Sequence, residues 1–186
     1  DIIIYFTIFW AFIIAYLLTS QDYRNNDFSF VSNRLSSNLA NILFLITASI
    51  IGSITAVLGG VLLRVIVYFI TDGANIISEN FFLTFGDLLS GFAVTFLYLL
   101  LVGSMGYLYG AFGQMNRLFI IVLPSFLFGA IIIDGRNNQM QTVSKIMDYI
   151  IAEPSPMLLT VKIVSIVLIF FFTALLISNR LEVRKY

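Results

Sequence analysis

The sequence predicts an all-α protein that crosses a membrane several times. Of its 186 residues, 60% are hydrophobic and only 11% are charged, which is more apolar surface than a water-soluble domain of this length can bury. The apolar residues form long continuous runs, as membrane-spanning helices require. The short alternating segments of a transmembrane β-barrel are absent. We therefore predict one transmembrane domain over residues 1–186.

Two residue types are absent from the sequence, and their absence restricts the chemistry of this chain. It has no cysteine and no histidine, which excludes disulfides, thiol catalysis, histidine-bound haem and the usual zinc sites. Its acidic residues form no tight cluster in the sequence, and its formal net charge of zero gives no indication of nucleic-acid binding. We expect no catalytic residue, no metal site and no cofactor bound by the chain itself.

The first two of five predicted spans differ greatly in length. Ile2–Thr19, at ~1.5 Å per residue, just crosses a hydrocarbon core of ~30 Å. The second segment, Leu39–Ile70, would reach roughly 48 Å as a straight helix. It must therefore tilt, protrude or break. Gly59 and Gly60 are its weakest point, so we expect one span to Leu58 and a bent continuation.

Three further apolar segments complete the predicted bundle. The third is Phe81–Phe112, and the fourth is the short run Leu118–Ile133. Pro124 lies inside the fourth, where it removes a helix hydrogen bond and favours a kink. The last span is Met157–Ser178. The polar residues 134–156 carry an apolar stripe at near-helical spacing, which predicts an extracellular element that lies on the surface or re-enters the membrane.

Basic residues orient the chain. They occur before the second span, before the fourth span and in the C-terminal tail, at Arg24, Arg34, Arg117, Arg180, Arg184 and Lys185. Alternating spans place these three regions on one side, which the positive-inside rule makes cytoplasmic. The sequence thus predicts a multi-pass protein of the cell membrane with a cytoplasmic C-terminus. Residue 1 would lie outside, so a cytoplasmic start of the full protein requires a sixth span upstream.

The interval 21–38 combines polar residues with an apolar stripe. Asp27 or Ser29 can cap a short helix. Phe28, Val31 and Leu35 are spaced by three and four residues, which places them on one helical face. The pattern predicts a short amphipathic helix on the cytoplasmic surface. Two interpretations stay open, an interfacial anchor or a docking surface for a groove on a soluble partner.

This order of features resembles the permease subunits of type 2 ABC exporters. The run SFVSNRLSSNLANILFLI resembles their coupling region and the start of the next span. The fourth segment with its proline, the loop to Pro156 and the closing ISNRLEVR resemble their C-terminal third. The resemblance implies six spans, a cytoplasmic coupling helix and an extracellular helical or re-entrant element. The residues that would couple to an ATPase are Asp27, Phe28, Phe30, Val31, Arg34 and Leu35.

The same resemblance implies partners. These are a cytoplasmic ATP-binding subunit that carries ATP and magnesium, a second copy or a related permease, and membrane lipid. The chain has no GxxxxGK[ST] phosphate-binding motif, which agrees with a separate ATPase subunit. The cargo would be amphipathic, such as a peptide, an antibiotic or a lipid.

Four glycines of the third segment share one helical face. They are Gly103, Gly106, Gly110 and Gly113, spaced by three, four and three residues. A face of small residues lets membrane helices approach closely. It could serve packing within the chain or a surface that slides during transport.

Arg64, Asp87 and Lys162 are the ionisable residues nearest to membrane depth. Each needs a partner, water or a route to the interface, because a charge inside the bilayer is costly. We expect Arg64 and Asp87 to approach one another near the outer leaflet, in a structural role or as a relay.

Two other functional classes remain. An integral membrane scaffold or accessory subunit would need the interval 21–38 only as an anchor. An intramembrane enzyme would need clustered acids, histidine or a Ser-Lys pair at depth, and the sequence shows no such group.

Overall fold

The computed structural model describes residues 2–20, 34–70, 84–116, 118–136 and 155–180. This part of the chain contains no β-strand, and its five helices are α1 (Ile2–Leu18), α2 (Arg34–Ile70), α3 (Phe85–Met115), α4 (Leu118–Arg136) and α5 (Pro156–Arg180). Helices α2, α3 and α5 are long and apolar enough to cross a membrane, whereas α1 and α4 are apolar but shorter. The predicted all-helical class is confirmed for the described residues, and the long apolar helices indicate a membrane protein.

Helix α3 is the centre of the bundle, because α1, α2, α4 and α5 all pack against it. Its middle is buried on several sides, as Leu99, Ser104 and Tyr107 show. Helix α5 contributes one stripe to the same core. Its members are spaced by four, four and three residues, at Ile163, Val167, Phe171 and Ala174. Helices α1 and α2 also contact each other, as do α2 and α5.

Helix α2 is continuous for 37 residues. The break that the sequence predicts as one possibility at Gly59 and Gly60 does not occur. Gly59 faces α1, and a Cβ added there would lie 3.2 Å from Cδ1 of Ile3. That glycine therefore permits close packing. At ~1.5 Å per residue α2 is about 55 Å long, and its mostly exposed last residues, 62–70, account for the excess over a bilayer core.

The start of α2 corrects part of the prediction for the coupling segment. Arg34 and Leu35 belong to the first turn of α2 rather than to a separate short helix, and the Leu35 side chain is exposed. No proline or glycine occurs between residue 34 and Gly52, so nothing in this stretch interrupts the helix. Asp27, Phe28, Phe30 and Val31 lie outside the described residues.

The last two helices differ slightly from the predicted segments. Helix α4 continues through Pro124 to Arg136, so the first residues of the predicted external element, 134–136, belong to α4. Its 19 residues reach about 28 Å at ~1.5 Å each, which brings its polar end to the edge of a bilayer core. Pro156 opens α5 at a position where its missing N–H costs no helix bond. Residues 137–154 lie outside the described part.

Candidate functional site

Four helices meet at one end of the bundle in a cluster of polar side chains. The polar cluster consists of Thr19 after α1, Asn38 near the start of α2, Tyr107 and Gln114 toward the end of α3, and Ser178 near the end of α5. Helices α1, α3 and α5 contribute residues near their C-terminal ends, whereas α2 contributes a residue near its N-terminal end. Helix α2 therefore runs antiparallel to the other three.

Asn38 is the centre of the polar cluster. Its Nδ2 donates to Oγ of Ser178 at 2.9 Å, and its Oδ1 accepts from the Tyr107 hydroxyl at 3.0 Å. The Ser178 Oγ also lies 3.3 Å from Oδ1 of Asn38. Asn38 is 9% exposed, and a buried carboxamide without partners would be costly in apolar surroundings. These bonds therefore both satisfy the amide and connect α2 to α3 and α5.

A second pair of bonds closes the end of α1. The side-chain amide of Gln114 donates to the Thr19 carbonyl, one of the carbonyl groups that a helix C-terminus leaves without an intrahelical donor. The Thr19 hydroxyl donates to the Tyr16 carbonyl at 2.8 Å. A cavity of about 20 Å³ lies between Thr19, Asn38, Gln114 and Ser178, which is large enough for one water molecule.

Two of the four predicted packing glycines lie against α1. A Cβ at Gly106 would lie 2.6 Å from the carbonyl oxygen of Phe12, and a Cβ at Gly110 would collide with Oγ1 of Thr19. Real Cβ atoms do not approach a main-chain oxygen as closely as at Gly106, and at Gly110 the Cβ of Thr19 would also lie only 2.9 Å away. Helices α1 and α3 can therefore adopt this separation only with glycine at these positions. The backbones of α1 and α3 are therefore in direct contact beside the polar cluster.

The other two predicted packing glycines have different surroundings. A Cβ at Gly113 would lie 3.0 Å from Cγ1 of Ile120, so this glycine faces α4. Gly103 is buried, but a Cβ there would have no atom of another element within 4 Å. The four glycines therefore do not form one packing surface. Gly106 and Gly110 face α1, whereas Gly113 faces α4.

The three ionisable residues predicted nearest to membrane depth occupy three different helices. Asp87 is exposed in the first turn of α3, where its Oδ2 accepts the Thr84 main-chain N–H at 3.0 Å. This places a negative charge at a helix N-terminus, where it is stabilised by the helix dipole. Arg64 on α2 and Lys162 on α5 are half-buried. The approach of Arg64 to Asp87 stays a prediction.

An open groove of about 540 Å³ runs between α1 and α2. Aromatic side chains line it, including Phe6, Trp10 and Phe44. Three hydroxyls of its lining donate to carbonyls of their own helices: Thr7 to Ile3 at 2.8 Å, Thr47 to Phe44 at 2.9 Å and Thr55 to Gly52 at 3.0 Å. Because these hydroxyls are already satisfied, the groove offers mainly apolar contact to whatever occupies it.

Sequence reasoning did not single out Asn38, Tyr107, Gln114 or Ser178. The available signal was that each is a polar residue near the same predicted end of an apolar segment. That signal does not say which of them pair. Within the described ranges, no group of three or more His, Cys, Asp or Glu residues could hold a metal ion.

No family model, no curated protein and no solved structure matches this chain.

Proposed function

We propose that this chain is the membrane-spanning permease subunit of a type 2 ABC exporter. It crosses the cell membrane five times, has a cytoplasmic C-terminus and forms a translocation path with a second copy or a related permease. The observation that carries the proposal is the position of Asn38. It lies three residues beyond the segment Asp27–Leu35 and is bonded to both α3 and α5. A cytoplasmic segment that resembles a coupling region therefore leads directly into the core of the bundle.

The packing of α1 supports five spans. Ile3, near the start of α1, contacts Gly59 of α2, while Thr19 at its other end contacts Gly110 of α3. Between these two contacts the chain advances by 16 residues from Ile3 to Thr19, about 24 Å along the helix axis. Helix α1 thus extends through the same layer as two helices that are long enough to cross a membrane.

The arrangement of helix ends supports the orientation. The end of the bundle that carries the polar cluster also contains the start of α2 and the end of α5. The main-chain positions of Arg34 and Arg180 are therefore on this side, where the positive-inside rule places the cytoplasm.

The groove between α1 and α2 supports an amphipathic cargo such as a peptide, an antibiotic or a lipid. Its aromatic lining and its internally bonded hydroxyls suit an apolar moiety, whereas a polar cargo would lose its hydration there without new hydrogen bonds.

In this function the chain performs no covalent chemistry. ATP and magnesium bind to the partner subunit, whose closure displaces the coupling segment and with it the start of α2. The bundle then changes between inward-facing and outward-facing states. Energy enters because the ATP-bound partner favours one of the two states over the other.

Co-purification tests the proposal. The tagged chain, expressed with its native genomic neighbours, is expected to retain an ATP-binding subunit. The double variant Phe28→Asp/Phe30→Asp is expected to lose it, because two carboxylates would replace the apolar docking surface. Tyr23→Asp is the matched control, since it adds a carboxylate to the same interval outside Asp27–Leu35.

Two results would contradict the proposal. Either the wild-type chain retains no ATP-binding subunit, or the double variant retains as much of it as the wild type does. Both results favour the competing class, a membrane scaffold or accessory subunit that uses the interval 21–38 only as an anchor.

A further inference from the structure

The side chain of Asn38 connects α2 to two other helices of the bundle. One carboxamide bonds to a hydroxyl on α3 and to a hydroxyl on α5, at distances of 3.0 Å and 2.9 Å. All three groups are side chains on different helices, in an environment where Tyr107 also makes an edge contact with the ring of Phe171. The amide is thus fixed from two directions close to the point where α2 begins.

Three hydroxyls further along α2 make a different kind of contact. The hydroxyls of Thr47, Ser49 and Ser53 donate to carbonyl groups of α2 itself. These bonds do not hold a neighbouring helix. The apolar contacts between α2 and its neighbours are not directional, so they allow small sliding movements. A hydrogen bond weakens steeply with distance and angle, so Asn38 resists displacement of α2 relative to α3 and α5.

We propose that Asn38 is the positioning residue through which movement of the start of α2 is transmitted to α3 and α5. This inference rests on the proposed function, because it assumes that a partner subunit displaces that end of α2. When α2 moves, the bonds to Tyr107 and Ser178 either carry the two other helices with it or must break inside the bundle. Breaking them leaves a buried amide without partners, which is the more costly outcome.

Nucleotide-dependent spin-label spectra of the complete complex test the inference. The chain has no cysteine of its own, so a single introduced cysteine labels one position in it. Leu39→Cys reports on α2 and Leu176→Cys reports on α5, and both leucines are exposed. Each labelled complex is compared without nucleotide and with ATP plus vanadate, after retention of the ATP-binding subunit has been verified.

The test variants remove the bonds with little change in shape. Asn38→Leu replaces the amide by an apolar side chain of similar size, and Ser178→Ala removes only its hydroxyl. Ser178→Thr keeps the hydroxyl and is expected to behave as the wild type. Ser165→Ala is the matched control on α5, because the Ser165 hydroxyl is exposed and donates to the Val161 carbonyl of its own helix.

The expected result is that both test variants retain the partner subunit and the spectral change at position 39 but lose the change at position 176. A wild-type response at position 176 in both variants would overturn the inference and leave the proposed function standing. Loss of the response at both positions would also overturn it, because Asn38 would then serve engagement of the partner. Absence of the partner from the wild type would refute the proposed function itself. If Asn38→Leu fails to fold, Ser178→Ala alone decides.

Discussion

The hydroxyl of Tyr109 on α3 donates a hydrogen bond of 2.7 Å to the main-chain carbonyl of Ile120 on α4. Ile120 lies four residues before Pro124, which has no N–H to offer to that carbonyl. In a membrane, a main-chain group that loses its helical partner needs another one. Tyr109 supplies the donor that the proline lacks, and α4 continues through Pro124.

This relationship predicts a specific rescue. Tyr109→Phe should lower the free energy of unfolding by ~1 kcal/mol, because the Ile120 carbonyl loses its donor. In a Pro124→Ala background the same change should cost clearly less, since alanine restores the main-chain N–H. Reversible unfolding in mixed micelles measures both effects as a double-mutant cycle.

Tyr98→Phe is the matched control. Tyr98 is on the same helix, and its hydroxyl forms no hydrogen bond with any residue that the structure describes. It should have little effect on stability in either background. Equal losses from Tyr109→Phe with proline and with alanine at position 124 would show that the tyrosine does not compensate for the proline.

The contact between α1 and α3 predicts different outcomes for two neighbouring glycines. Gly106→Ala should destabilise the protein by about 1–3 kcal/mol, because the new methyl group would press against the Phe12 carbonyl, which cannot rotate away. Gly103→Ala should be tolerated, since nothing of another element lies within 4 Å of its Cβ position. Thermal stability by size-exclusion chromatography in detergent distinguishes them. Equal stability of the two variants would contradict the packing described for Gly106.

Trp10 is the one tryptophan of the chain, and it reports the depth of α1. It lies eight residues from each end of α1 (Ile2–Leu18), about 12 Å along the helix, and its side chain is 48% exposed in the groove wall. If α1 crosses the bilayer, bromine atoms deep in the lipid chains should quench its fluorescence more than bromine near the headgroups.

The control for this measurement is the same protein with Trp10→Phe and a tryptophan placed at Leu35, an exposed residue at the start of α2. Its quenching should show the reverse order of depths, since that end of α2 lies near the interface. Stronger quenching of Trp10 by the shallow bromines would mean that α1 lies along the surface.

The capping contact of Asp87 predicts which of its substitutions matters. Asp87→Ala should weaken the first turn of α3 by about 0.5–1 kcal/mol, because the Thr84 N–H loses its acceptor and the helix dipole loses a stabilising charge. Hydrogen exchange at the main-chain amides of residues 85–88 should then become faster.

Asp87→Asn keeps an oxygen acceptor, so it should retain most of this protection and, in the proposed exporter, normal assembly and transport. Normal assembly with complete loss of transport in Asp87→Asn would contradict a purely structural role and would favour participation of this carboxyl group in a relay.

The membrane-protein class and the approximate helix limits could be predicted from the sequence because they depend on local properties. Apolar runs of sufficient length have few stable arrangements other than membrane-spanning helices. The predicted last span, Met157–Ser178, lies within α5, which begins at Pro156 and ends at Arg180. The start of α2 is the limit that the sequence predicts least accurately. The pattern predicts a cytoplasmic helix and a span as separate elements, although Arg34 and Leu35 belong to one continuous helix.

Which residues pair in the polar cluster could be learned only from the tertiary structure. Asn38 and Ser178 are 140 positions apart in the chain, and both are ordinary polar residues near the end of an apolar segment. In lipid, apolar matching alone does not select which helices become neighbours. Close backbone approach at Gly106 and Gly110 and hydrogen-bond geometry at Asn38 make that selection. The sequence by itself therefore determined that the chain is a bundle of membrane helices, and the fold decided that α3 is its centre.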